Sequence, residues 1–181
     1  EVLFPFDLGL LVAPPGSGKT VLGTYIAAQR QCGTLILVHR QPLLDQWVAQ
    51  LALFLGIDAR EIGQIGAGRR KPNGRLDVAM IQSLLRSDEV DDLVGGYGQV
   101  IVDECHHVPA VSFERVLNAV RARYLVGLTA RRSAGTNGGP LNFVGYHTTH
   151  HAQRRPALKH TATAAVHPRN ASANNTIHDI Q

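Results

Sequence analysis

Residues 13–20, Ala-Pro-Pro-Gly-Ser-Gly-Lys-Thr, have the types and spacing of a phosphate-binding loop. Gly16 and Gly18 allow tight turns that bring backbone N–H groups onto an anion. A helix starting near Lys19 points its positive dipole end at the same place. Lys19 is placed to reach the β- and γ-phosphates of a nucleoside triphosphate, with Pro15, Gly16, Ser17 and Gly18 completing the cradle. The Thr20 hydroxyl is the type of group that ligates Mg²⁺. The general pattern opens on Gly, where this chain has Ala13. A second run, QVIVDECHH at 99–107, ends an apolar stretch in two acids. Asp103, at the tip of a neighbouring parallel strand, suits Mg²⁺ held through water. Glu104 suits orientation or deprotonation of an attacking water.

These residues need a scaffold that brings strand ends together. Short Val/Ile/Leu-rich runs at 8–13, 34–39, 78–82, 100–104 and 124–129 read as buried parallel strands. Helix-like stretches at 19–30, 42–55 and 113–121 alternate with them. Pro42 suits a first helical turn, Gly56 a stop, and Ser112 a cap. Residues 63–74 read as an exposed basic loop carrying Arg69, Arg70 and Lys71. Residues 87–98 read as a short acidic helix and a glycine loop. The alternation predicts an α/β doubly wound, mostly parallel sheet with its ligands at the carboxyl ends of the strands. Lys19, Thr20, Asp103, Glu104 and Thr129 fall at or just after such ends.

With both sites in place, the chain resembles the superfamily-two helicases and translocases of the DExH branch. Ala13-x-x-Gly16-x-Gly18-Lys19-Thr20 and Asp103-Glu104-Cys105-His106 look like motifs I and II, and Ala at position 13 is the form that branch uses. Residues 37–47 resemble motif Ia and its following helix. Residues 77–84 resemble the segment that contacts the nucleic-acid backbone, and 127–130 the start of motif III. The group containing XPB-like helicases and restriction-enzyme translocase subunits is the nearest in character. The resemblance implies a RecA-like P-loop domain over 1–130 that binds and hydrolyses Mg·ATP as a helicase-type ATPase. It implies a catalytic set of Lys19, Asp103, Glu104 and His106, with Mg²⁺ held by Thr20 and Asp103. In the family His106 links the ATP site to motif III. The implied partners are DNA, with RNA left open, gripped through its backbone, and a second RecA-like domain or partner subunit. A non-enzymatic nucleotide-binding fragment and a P-loop phosphotransferase are the rival readings.

Other residues are weighed against plainer roles. Arg40 is either a backbone-phosphate contact or a solvated charge. Gln82 and Ser83 are hydrogen-bond donors to nucleic-acid phosphates, unless Ser83 caps a helix. Trp47 reads as a core anchor before a base-stacking platform. Cys105, His106 and His107 lack a second ligand pair at zinc spacing, so no metal centre is expected there, nor at His147, His150 and His151.

The 181 residues suffice for one α/β domain, and 44% hydrophobic content is ordinary for one. Two cysteines, Cys32 and Cys105, exclude a disulfide framework and suit a reducing cytoplasm. No long apolar run predicts a membrane span, and no signal peptide is expected. The net charge of +4 is compatible with a polyanionic partner. After Ala130 the pattern changes. Arg131 and Arg132 stand where the family has Thr and Pro, and Asp179 is the single acid from there to the end. Residues 131–181 are therefore expected to be an irregular or disordered tail, and the chain a fragment or frame-disrupted product without its second lobe.

Overall fold

The computed structural model describes residues 7–86, 90–107, 115–116, 118–130 and 161–165 of the chain. The strands are β1 Leu8–Val12, β2 Thr34–Val38, β3 Gly63–Gly66, β4 Arg69–Lys71, β5 Leu76–Met80, β6 Gln99–Val102, β7 Tyr124–Thr129 and β8 Thr161–Ala165. The helices are α1 Lys19–Arg30, α2 Gln41–Leu55, α3 Ile81–Leu85 and α4 Val90–Gly95. The strands form one sheet in the order β4-β3-β5-β2-β6-β7-β1-β8. Every pairing is parallel except β3 with β4.

Every residue of β1, β2 and β6 is buried. That demands cover on both faces of the sheet. Leu11, Ile36, Val38, Ile101, Val126 and Leu128 pack with Ile26 of α1 and Leu44, Trp47, Val48 and Leu51 of α2. The alternate residues Leu10, Leu35, Leu37, Val100, Val102 and Leu125 pack with Ile81 and Leu84 of α3, Val94 of α4 and Val116. The α2 stripe has the spacing of an amphipathic helix. Its Pro42 lies in the first turn, and Gly56 (φ 65°) ends it by donating its N–H to Ala52 O.

The structure departs from the sequence reading in three places. The basic stretch at 63–74 is not a loop: β3 and β4 form a hairpin with Gly66 opposite Arg69. Ala67 (φ 46°) and Gly68 (φ 78°) are both left-handed, the geometry whose twist matches a two-residue hairpin. All of β4 is exposed, so no apolar alternation announced it. The strand expected at 78–82 is β5, which starts at Leu76 and ends at Met80. Gln82 and Ser83 therefore lie inside α3, whose N-cap is Met80, so Ser83 is not its cap. The early start was hidden by Asp77, a fully buried acid within the strand. Its carboxylate accepts from the backbone N–H of Asn73 (3.0 Å) and Gly74 (2.9 Å) and from the Tyr97 hydroxyl.

Residues 161–165, within the segment expected to be irregular, form β8 parallel to β1, with Leu8 opposite Thr161. The pairing occupies an edge of β1 that would otherwise present unpaired backbone groups. The Thr/Ala composition carries little apolar signal of its own. In the helix expected at 113–121, residues 115, 116, 118 and 119 are helical. Ser112, Arg131, Arg132, His147, His150 and His151 lie outside the described residues.

Candidate nucleotide site and its relatives

The sheet order places β7 between β1 and β6, so three carboxyl ends lie side by side. The pairs Val12 with Thr129 and Val102 with Gly127 set their register. A backbone bond from Ala13 N–H to Thr129 O (2.9 Å) extends it, and one from Asp103 N–H to Leu37 O (2.9 Å) ties the end of β6 to β2. The loop after β1 turns through Gly16 (φ 77°) and Gly18 (φ 82°), and Ser17 N–H donates to Pro14 O at 3.2 Å. Gly18 is the N-cap of α1 and offers no side-chain cap, leaving the first turn's N–H groups for an anion.

Lys19 folds back along this loop. Its Nζ donates to Ala13 O (3.1 Å) and Pro14 O (3.4 Å) and stands 3.6 Å from Glu104 Oε1. Glu104 holds φ 46° without being glycine, a conformation costing on the order of 1–2 kcal/mol. It directly follows Asp103, so this strained residue links the end of β6 to the short 3₁₀ turn Cys105–His107. The other Glu104 oxygen, Oε2, lies 3.2 Å from His106 Nδ1. That approach lacks hydrogen-bond alignment, so buried Oε2 has no aligned donor among the described residues. The same His106 nitrogen is 2.9 Å from Thr129 Oγ1.

Asp103 is 5% exposed. Its Oδ2 accepts from the Trp47 indole N–H at 2.8 Å, and its Oδ1 from the Glu104 backbone N–H at 2.9 Å. Burial pushes its carboxyl above the usual range. The Trp47 hydrogen bond opposes that rise, and the neighbouring Glu104 charge adds to it.

Sequence reasoning placed Lys19, Thr20, Asp103, Glu104 and Thr129 at or just after strand ends; Lys19, Asp103, Glu104 and Thr129 converge here with His106, and Thr20 lies in the first turn of α1. It missed that Trp47 reaches Asp103. A buried indole N–H needs an acceptor, and that need was the one signal available. Arg40, exposed at the end of β2, caps α2 with its backbone. Gln82 is exposed and Ser83 half-buried in α3. Val38 pairs with Met80, so these three residues share one sheet edge without joining the acid cluster.

The residues present fit Mg·nucleotide. Ser17 Oγ and Glu104 Oε2 are buried polar atoms with no hydrogen-bond partner among the described residues, and both border the loop. An uncapped helix start and a Lys–carboxylate pair complete a donor set suited to a phosphate and a hard cation.

Residues 6–132 match the family described as type III restriction enzyme, res subunit. The chain is 32% identical over 133 residues to the general transcription and DNA repair factor IIH helicase/translocase subunit XPB of Danio rerio, covering 67% of this chain and 17% of that one. It is 30% identical over 145 residues to the DNA 3'-5' helicase XPB of Mycobacterium tuberculosis, covering 76% of this chain and 26% of that one. The chain thus spans about a quarter or less of the length of these relatives. The crystal structure of the UvsW helicase from bacteriophage T4 shares the fold, with a TM-score of 0.64 at 18% identity over 77% of this chain and 51% of that chain. The chain shares the RecA-like fold of superfamily-two helicase domains, and it belongs to the family described as type III restriction enzyme, res subunit.

Proposed function

We propose that this domain binds Mg·ATP and hydrolyses it as the N-terminal motor half of a DNA helicase or translocase. The observation that carries this reading is the meeting of Lys19, Asp103, Glu104, His106 and Thr129 at the ends of three adjacent strands. Residues 15–20 cradle the phosphates, with Lys19 moving from the loop carbonyls to the β/γ oxygens. Thr20 and Asp103 hold Mg²⁺, which when bound neutralises charge on the phosphate oxygens. Glu104 Oε2, with a lone pair open, accepts the proton of the attacking water. His106 stands beside the Glu104 carboxylate and ties the turn after β6 to the end of β7 through Thr129.

Arg40, Gln82 and Ser83 bind nucleic-acid phosphates and so grip DNA without reading sequence. Residues 1–130 form the motor domain, and a second RecA-like lobe or partner subunit supplies the arginine that completes the site. The length of the relatives supports this. Among the described residues no helix is long and apolar enough to cross a membrane, and both cysteines are free, which suits a cytoplasmic protein.

The test is Mg·ATP binding and turnover by the 181-residue chain, with and without single-stranded DNA. Lys19→Ala should lose nucleotide binding. Glu104→Gln should bind but turn over about 10²–10⁴-fold more slowly. Wild-type chain that binds no nucleotide would sink the reading. Binding without turnover, with DNA and the second lobe both supplied, would favour a non-enzymatic nucleotide-binding domain.

A further inference from the structure

We propose that Trp47 is a positioning residue that ties together the two halves of the Mg²⁺ site, Thr20 on α1 and Asp103 after β6. The inference rests on the nucleotide-site reading above and adds a residue to it.

Two contacts of a buried ring carry it. The indole is fully buried, so its N–H had to find an acceptor within the fold. That acceptor is Asp103 Oδ2 at 2.8 Å, 56 residues away in the chain. The far edge of the same ring presses on α1: a Cβ at Gly23 would lie 2.6 Å from Trp47 Cη2. Gly23 is one turn beyond Thr20 on the helix that the phosphate loop starts. One rigid ring therefore spans from that helix to the acid at the end of β6.

The carboxylate is fixed at both oxygens, by Trp47 on Oδ2 and by the Glu104 backbone on Oδ1. Each carboxylate oxygen has two lone-pair sites, so each keeps one for the cation or its water. With Trp47 removed, only the Glu104 backbone N–H would hold the group, and its rotation about χ2 would be less restrained. Groups that orient a metal ligand in this way typically change metal affinity by about 10–100-fold.

The full chain tests this with Trp47→Phe, which keeps an aromatic ring and deletes the N–H. Nucleotide affinity is measured once in EDTA and once in excess Mg²⁺. The expected result is affinity in EDTA within about twofold of wild type, and a Mg²⁺-dependent gain cut about tenfold. An undiminished Mg²⁺ gain would reduce Trp47 to packing.

Trp47 is the only tryptophan in the chain, so its emission reports on this contact directly. Asp103→Asn should shift that emission without ligand, and Mg²⁺ added to the nucleotide-bound wild type should shift it again. Emission indifferent to both would overturn the proposal, even where Trp47→Phe fails to fold. Wild-type chain that binds no nucleotide in either condition would sink the proposed function and the Trp47 role with it. A Phe variant equal to wild type would sink the Trp47 role only.

Discussion

His106 Nδ1 lies 2.9 Å from Thr129 Oγ1, joining the turn after β6 to the last residue of β7. The same nitrogen stands 3.2 Å from Glu104 Oε2, so one imidazole faces both a hydroxyl and the candidate base. Thr129 is fully buried, and its hydroxyl does nothing for packing that a methyl could not do. Its value is polar.

Thr129→Val therefore keeps the shape and removes one anchor of the imidazole. Nucleotide affinity should stay within about twofold. Stability should fall by about 1 kcal/mol, the net worth of a buried hydrogen bond. Turnover should fall about tenfold, because the imidazole standing beside Glu104 is then less restrained. Steady-state ATPase rates beside nucleotide titrations would check it. An unchanged rate would make the contact purely structural.

Gly23→Ala separates helix propensity from packing. In an open helix the change stabilises by about 0.5–1 kcal/mol. Here the new methyl would meet Trp47 Cη2 at 2.6 Å and Leu128 Cδ1 at 3.3 Å. Neither side chain is free to retreat, since Trp47 and Leu128 are both fully buried. Overpacking typically costs about 1–3 kcal/mol, so a net loss of roughly 1–2 kcal/mol is expected in urea unfolding. A stabilised variant would show that the ring has room to move.

The parts of the fold that were legible in the sequence are those dictated by local pattern. β7 spans the Tyr124–Thr129 stretch built around Leu125, Val126 and Leu128, and α1 runs from the loop lysine to Arg30. The site was legible for the same reason, since Lys19, Asp103, Glu104 and His106 follow strands that are continuous apolar runs. What stayed hidden depends on distant partners. Trp47 and Asp103 meet through tertiary packing alone. β4 is three exposed basic residues made into a strand by the turn at Ala67 and Gly68. Asp77 sits in β5 because the turn at 73–74 and Tyr97 satisfy it, and Gly63 leaves space where a Cβ would collide with its carboxylate. No local propensity encodes that arrangement.

Asp77 yields a prediction on stability alone, since it lies away from the acid cluster. Asp77→Ala would leave two backbone N–H groups and the Tyr97 hydroxyl without their acceptor. The expected loss is on the order of 3 kcal/mol. Tyr97→Phe removes only one donor and should cost about 1 kcal/mol. Denaturant midpoints for the two variants test that order. A reversed order would mean that the phenol, not the carboxylate, organises the turn.

Cys105 gives a test in alkaline solution. Burial first, then the charges of Glu104 and Asp103, pushes its thiol up from 9.0 to about 12. A raised value favours the neutral thiol in the folded chain. Its contribution to stability is therefore present in full below pH 9 and is lost as pH climbs through about 12. Denaturant midpoints should fall more steeply above pH 9 in the wild type than in Cys105→Ala, which has no thiol to ionise. Thiol labelling at pH 8 offers a second readout. Cys32 is half-buried and should react in the folded chain, whereas buried Cys105 should react only on unfolding. Two equally fast thiols would show that the turn after β6 opens readily, and the clustering of Glu104 and His106 around it would then be a transient arrangement.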